Sequence, residues 1–450
     1  MSLPPHPHFS PPIVSPPTPA GSPAPPPPPP RRLAPPPLPP QSLPPHPVVP
    51  PASRPPPLPP ILRRAEAMAS QTSTTELGEP AICVGCGPHA TSPNPNARIS
   101  RSMRLYAAES GVKPIPRAKI LGRASDSQWA RPNSTLIDAA LDPALVVAEK
   151  SVKVIKVRKD GSGDFKTVRD AINSVPSGNT KRTIIYIGPG EYKEKVTVEW
   201  TKPFVTFYGS SSNMPILNYD GTASKYGTVN SASVIVESEY FMAVNIIFKN
   251  SAPKPDGKRL NGEQAVAMRI SGDKAAFYNC KFLGYQDTLC DDKGNHFFQN
   301  CYIEGTVDFI FGDGRSLYLG SELHSIAEGE SAITAQGKEQ AGDDGGFAFV
   351  HCKITGTGNT YLGRAWKERA KVVFAYTYMG TLVNPEGWSD KGFTSRDKTV
   401  FYGEYQCTGP GASTSKRAKY TKVLSNGEAK PYLDKSFINA ATWLLPPPKL

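Results

Sequence analysis

The chain has 450 residues, a formal net charge of +12 and 50 prolines, of which 30 fall in residues 1–60. Proline lacks the N–H that helix and sheet ladders need, and this head has little to bury, so it cannot form a core; the 300 residues after 150 are enough for one large domain. From residue 151 onward 37 basic residues face 31 acidic ones, an excess that fits either solubility or attraction to a polyanion.

Nucleic acid is a poor candidate partner, because no basic run is interleaved with aromatics and no zinc-finger spacing occurs. In chain order, residues 1–60 read as a proline-rich disordered region whose runs, such as Pro25 to Pro30, sample polyproline II. A spacer is the plain reading and a ligand for proline-binding modules the alternative. Residues 61–150 read as a poorly ordered linker, polar and interrupted by glycine and proline. In it, Cys83 and Cys86 form a CxxC with no second pair to complete a four-ligand zinc site, so an incidental pair is expected. Asn133-Ser134-Thr135 is a glycosylation sequon, which matters only in a secreted chain. Residues 134–150 suit a short helical turn, with Pro143 expected to break it. No apolar run reaches 18 residues, so no membrane span is expected. The opening residues lack the charged-then-apolar pattern of a secretory signal peptide.

The texture changes at Val152. Val154 to Val157 alternates like a strand, Asp160 to Asp164 makes a turn, and Thr167 to Val175 suits a short amphipathic helix ended by Pro176. The Gly-Ser-Gly at 161–163 lacks both the third glycine of a dinucleotide fingerprint and the Lys-Ser/Thr of a phosphate loop, so it reads as a turn. Short strands follow at Thr183 to Ile187, Val196 to Val198, Phe204 to Tyr208 and Ser233 to Val236. Then AVNIIF, YNCKFL, QNCYIE, LGSELH, VHCKIT and AYTYMG repeat one pattern, a small or polar residue between apolar ones. Their centres, Asn245, Cys280, Cys301, Ser321, Cys352 and Thr377, are spaced by 35, 21, 20, 31 and 25 residues. One β-branched or aromatic strand at a constant place in each unit predicts a solenoid, and the strands fit an all-β parallel β-helix better than leucine-rich or helical repeats. Seven cysteines are an odd number for a disulfide framework; five of them, Cys280, Cys290, Cys301, Cys352 and Cys407, lie in this domain, and their redox state is open.

Asp287 and Asp308 are 21 residues apart, and each lies seven residues after a stacked cysteine, Cys280 or Cys301. Neighbouring coils lie about 4.8 Å apart, so the spacing predicts two adjacent carboxylates in aromatic company. Such a pair does not ionise together easily: one becomes a proton donor and the other stays an anion. Acid–base or nucleophilic work follows, and the plain alternative is that both aspartates cap turns between coils.

Five stretches, in this order, resemble the pectinesterases (pectin methylesterases) of plants across residues 152–445: Gly190-Glu191-Tyr192-Lys193-Glu194, Gln264-Ala265-Val266, Gln286-Asp287-Thr288-Leu289, Asp308-Phe309-Ile310-Phe311-Gly312 and Leu362-Gly363-Arg364-Ala365-Trp366. The resemblance implies a right-handed parallel β-helix over 151–445 that removes methyl groups from homogalacturonan, giving pectate and methanol. It implies that Asp308 is the nucleophile on the C6 ester carbonyl, and that Asp287 protonates departing methanol and then activates water. Gln286 and Gln264 would donate to the oxyanion, Arg364 would keep Asp308 ionised and oriented, and Trp366 would stack on a sugar face. Thr228 and Gln264 match substrate-contacting positions, and Gln336 belongs to a family motif of less defined role. Each has a plain counterpart: a surface ion pair for Arg364, a core aromatic for Trp366, backbone satisfaction for the glutamines, an ordinary loop residue for Thr228.

The family needs no metal or cofactor. The resemblance further implies a monomer in the cell wall, with pectin as partner and a proteinaceous pectinesterase inhibitor as a second candidate, and no nucleic acid or membrane. The opening residues do not match a secreted enzyme, so an atypical N-terminus is expected. Residues 61–150 are too short and irregular for an inhibitor-like helical bundle, which places the chain with the type lacking that pro-region. Two positions depart from the family: Ala365 stands where proline is common, and Cys290 where many members carry tyrosine. The rival readings are another β-helix pectin-active enzyme, a lyase or polygalacturonase, and a non-catalytic pectin-binding wall protein.

Overall fold

The computed structural model describes residues 141–256 and 262–450. The proline-rich head, Cys83, Cys86, the sequon at Asn133 and most of the linker lie outside the described residues. The first element is helix α1, Pro143–Glu149. Pro143, expected to break a helical turn, instead begins one: at the first helical position its missing N–H is no loss and its fixed φ is already helical. Asp142 caps the helix by accepting from Ala144 N at 3.1 Å. It also accepts from the Tyr240 hydroxyl and from Lys274 Nζ, the latter at 3.3 Å. Residues 141–150, counted with the linker by sequence, are thereby tied to the body that follows.

That body is a parallel β-helix with three faces. The first face is an 11-stranded sheet running from Lys153–Val157 to Thr421–Val423. The other two faces join in a 14-stranded path, because the long strands Glu322–Gln336 and Lys353–Arg364 pass from the second face to the third with a register shift between Ile326 and Glu330. One coil comprises Ala275–Tyr278, Lys281–Leu283 and Leu289–Asp291; the next comprises Asn295–Gln299, Tyr302–Gly305 and Val307–Gly312. The strands expected at Thr183–Ile187 and Val196–Val198 are present with those bounds, and the expected amphipathic helix is Val168–Asn173, capped by Thr167. It buries Val168, Ala171 and Ile172 against the first coils and closes that end of the solenoid.

The repeat is observed, with one correction at its start. Lys281 pairs with Ile247, which puts Ile246, not Asn245, beside Cys280. Asn245 belongs instead with Asn279, whose Nδ2 donates to Asn245 Oδ1 at 2.8 Å. Both asparagines turn the chain from the first face to the second in the left-handed region (φ 57° and 50°), as do Asn300, His351, Tyr376 and Gln406 in later coils. Asparagine tolerates that conformation better than most residues, which is why it recurs at this corner. The residue after each corner points inward. The resulting column reads Ile246, Cys280, Cys301, Ser321, Cys352, Thr377 and Cys407.

Strand spacing also sets the aromatic core. Phe277, Phe298, Tyr318, Phe349 and Phe374 stack at centroid separations of 4.7, 4.4, 4.5 and 4.6 Å. Such pairs contribute about 0.5–1.5 kcal/mol each beyond their burial. On the outer side of the first face, Phe297, Leu317, Ala348 and Val373 join Leu145 and Ala148 of α1 and Phe437, Ile438 and Trp443 of the C-terminal turns in one apolar cluster. The third face carries a smaller outer cluster of Ala232, Ile235, Val266, Cys290, Phe311 and Ala335. Among the described residues no helix is long and apolar enough to cross a membrane.

Candidate active site

Leu289 pairs with Ile310 on the third face, so Asp287 and Asp308, two residues earlier in each coil, stand side by side. Asp287 N donates to Val307 O at 3.1 Å, which ties the two turns together. The 21-residue spacing is one coil. Both aspartates are in the left-handed region, with φ 63° and 52°, where Asp is among the tolerated residue types. They are nearly enclosed, Asp287 being 8% and Asp308 2% exposed.

Their surroundings are unequal. Arg364, the last residue of Lys353–Arg364, donates from Nε and Nη2 to the two carboxylate oxygens of Asp308. The fork geometry fixes the Asp308 carboxylate and gives it a full positive counter-charge. Burial works against the Arg364 charge, but its bonds to Asp308 outweigh that and raise its proton affinity. Asp287 has no such partner. Burial first, and the Asp308 charge second, push its carboxyl well above the usual carboxylate range, with Arg364 only partly opposing. Folding therefore favours the protonated form of Asp287, while Arg364 supplies a counter-charge to its neighbour, an inequality that suits an acid beside a nucleophile.

Arg364 reaches Asp308 across an intervening coil: Phe311 pairs with Ala335, and Thr334 pairs with Gly363. The loop after it places Trp366, 38% exposed, edge-on to Phe311 with ring centres 6.2 Å apart. Gly337 lies beneath the tryptophan, where a Cβ would come within 3.1 Å of the ring and push it away by a few tenths of an ångström. Ala365 is held by two hydrogen bonds of its backbone. Its N–H donates to Ser389 O at 2.9 Å and its carbonyl accepts from Arg396 Nη1 at 2.6 Å.

Gln264 and Gln286 lie in neighbouring coils, offset by one residue: the register sets Ala265 opposite Gln286, and Ala265 N donates to Gln286 O at 3.2 Å. Gln264 Oε1 accepts from Gly262 N at 3.2 Å, while the Gln286 carboxamide has no hydrogen bond to a described residue. Thr228 sits at the start of a single 3₁₀ turn, Val229–Ser231, and its carbonyl accepts from Ser231 N and Oγ. Val229 packs on the Cys290–Phe311 cluster, so Thr228 flanks the site without bonding to either aspartate. Gln336 is structural: its carboxamide donates to Asp313 Oδ1 and accepts from Lys338 N and Lys371 N at 3.0, 3.1 and 2.8 Å. Cys290 is covered, and burial pushes its thiol well above the ordinary range, so it serves as a small apolar residue.

Three features were missed by the sequence reading. Arg269 stands beside Cys290 on the outer row and pairs with Asp292 at 2.9 Å; its polar place between Met268 and Ile270 in a period-2 strand was the available signal. Arg396, which also pairs with Glu368 at 3.2 Å, had none, since its role depends on a fold-back from a later loop. Inside the same coils, Asp291 accepts from Tyr318 at 2.7 Å and meets His296 Nδ1 at 2.5 Å, and His296 Nε2 lies 3.0 Å from Gly272 O. A Cβ on Gly314 would collide with Asp291 Oδ1, so this buried cluster shapes the turn that follows the Asp308 strand.

The three-faced parallel β-helix is shared with solved pectin methylesterases, which puts the chain in the class of β-helix esterases. Residues 154–441 match the family model described as Pectinesterase, and the chain belongs to that family. Pectinesterase 2 of Olea europaea is 55% identical over 311 residues, covering 69% of this chain and 85% of the relative. The solved pectin methylesterase from carrot is 34% identical with a TM-score of 0.59, covering 66% of this chain and 95% of that one. A pectin methylesterase solved in complex with a hexasaccharide is 27% identical with a TM-score of 0.53, covering 66% and 99%. The chain is thus an esterase that demethylesterifies pectin.

Proposed function

We propose that Asp308 and Asp287 carry out this demethylesterification as nucleophile and acid–base, within a catalytic domain of residues 151–445. An Asp308 oxygen attacks the C6 ester carbonyl of a galacturonate unit and forms a tetrahedral oxyanion. N–H groups of Gln286 and Gln264 stabilise it; preorganised donors of this kind are worth about 3–4 kcal/mol of barrier. As the C–O bond to methoxide breaks, Asp287 gives up its proton and methanol leaves, so Asp308 remains acylated. The Asp287 carboxylate then takes a proton from water, whose oxygen attacks the acyl carbon and frees galacturonate and Asp308. Arg364 orients Asp308 throughout, and Trp366 and Thr228 bracket the polymer.

The observation that carries this reading is the inequality of the pair, with Asp308 forked by Arg364 and Asp287 beside it pushed toward its protonated form by burial. A relative solved in complex with a hexasaccharide supports an oligosaccharide as the ligand of this site. The deciding experiment incubates the protein with highly methylated pectin and measures methanol, chain length and unsaturated ends together. Methanol with intact chains and no unsaturation is expected; shortened chains would indicate a polygalacturonase and unsaturated ends a lyase. We also propose secretion to the cell wall, a monomeric state and capture by a proteinaceous inhibitor. Because the net charge is +12, binding to demethylated pectin is expected to weaken steadily as salt rises. Affinity unchanged between low and high ionic strength in a co-sedimentation assay would dismiss the charge contribution.

A further inference from the structure

The inward column after the first corner places two cysteines next to one another at one position only. Cys280 and Cys301 are neighbours, since Lys281 pairs with Tyr302. Ser321 separates Cys301 from Cys352, and Thr377 separates Cys352 from Cys407. In-register neighbours lie about 4.8 Å apart, inside the roughly 4.4–6.8 Å Cα window of a disulfide, whereas skipping one coil gives about 9.6 Å and exceeds it. Cys290 is on the outer side of the third face and out of reach.

The two thiols also point the same way. Cys280 Sγ lies 3.5 Å from Tyr278 O and Cys301 Sγ lies 3.5 Å from Gln299 O, in each case the carbonyl two residues earlier. Both are free thiols in the structure, and the strand register sets them side by side. We propose that Cys280 and Cys301 form a disulfide when the chain folds in an oxidising compartment, stapling the coil of Asp287 to the coil of Asp308.

The chemistry is thiol–disulfide exchange with a small-molecule or protein disulfide. One cysteine thiolate attacks the external disulfide and releases its first thiol. The second cysteine thiolate then attacks the mixed disulfide, forms the Cys280–Cys301 bond and releases the second thiol. Two protein thiols and one external disulfide become one protein disulfide and two external thiols. Both cysteines are shut off from solvent in the finished coil, at 1% and 2% exposed. Burial first, and the Cys280 contact second, push the Cys301 thiol well above its ordinary range, so exchange occurs before the coils close. Once closed, the bond is shielded from reductants.

The full chain is refolded with a mixture of oxidised and reduced glutathione, blocked with N-ethylmaleimide in denaturant, and digested with trypsin without reductant. The expected product joins peptides 275–281 and 294–315, two hydrogens lighter than their sum and separated by reductant. Maleimide on both Cys280 and Cys301 after oxidative refolding, or a cross-link from either to another cysteine, would overturn the proposal. The thermal midpoint supplies a second reading. Unfolding and refolding with reductant is expected to lower it in the wild type and to leave the Cys280→Ser/Cys301→Ser protein unchanged. A wild-type midpoint indifferent to the redox history counts against the staple, and the peptide map decides the matter even if the double variant does not fold.

Discussion

Asp308→Asn is expected to reduce methanol release by about 10,000-fold or more, the scale on which loss of a nucleophile is felt in other hydrolases. Asparagine keeps the shape of the side chain and tolerates the φ of 52° at this position, so the backbone has no reason to move. The oxygen atom of its amide can still receive one Arg364 hydrogen bond, but the negative charge that attacks carbon is gone. Arg364 then loses its counter-charge in a largely enclosed site, and a modest fall in thermal midpoint accompanies the loss of activity. Asp308→Ala is the harsher test, since it also leaves the space of a carboxylate. Methanol assays paired with far-ultraviolet circular dichroism separate the two effects. Activity within about tenfold of wild type, with the β-helix spectrum retained, would remove Asp308 from the chemistry.

Asp287→Asn is expected to cost about 100- to 10,000-fold in rate, the range for a positioned acid–base. Its effect on stability runs the other way. In the folded chain Asp287 holds its proton more strongly than a free carboxyl does, first because it is buried and then because Asp308 is beside it. A group whose proton affinity is raised by folding contributes fully below the unfolded carboxyl range, and that contribution is lost as pH rises through the raised value. The variant cannot ionise and escapes that loss. Its thermal midpoint is therefore expected to exceed the wild type's at about pH 8 and to approach it at about pH 4. A variant melting below the wild type at the higher pH would show that the Asp287 carboxylate is not penalised. The reaction should fail at high pH in the wild type too, because the departing methoxide then has no proton donor.

Much of this site was legible because a solenoid turns sequence separation into distance. Cys280 and Cys301, 21 residues apart, disclosed the coil length, and the same number then placed Asp287 against Asp308. The family stretches supplied Arg364 and Trp366, which no local pattern connects to a carboxylate two coils away. What misled the alignment at Asn245 was a polar residue at a corner that looks like the small polar residues of the inward column. Only the strand register distinguishes the two positions. Pro143 was misread because a proline breaks a helix from inside and starts one from its first residue, and the sequence leaves open where the first residue is. The unequal protonation of the aspartates follows from enclosure, a property of the packed coils rather than of any stretch.

The first face has 11 strands, and the aspartates belong to the fifth and sixth coils counted from its start, while Arg364 belongs to the eighth. A solenoid is held by nearest-neighbour contacts, so it melts inward from its ends. Fraying from the N-terminal side has to consume four coils before it touches Asp287. From the opposite side, only three strands of the first face lie beyond the coil that holds Arg364. Heat or denaturant should thus silence the enzyme by releasing the arginine while the two carboxylates are still stacked. Amide hydrogens around 347–364 would then exchange in step with inactivation, and those around 289–311 would outlast it.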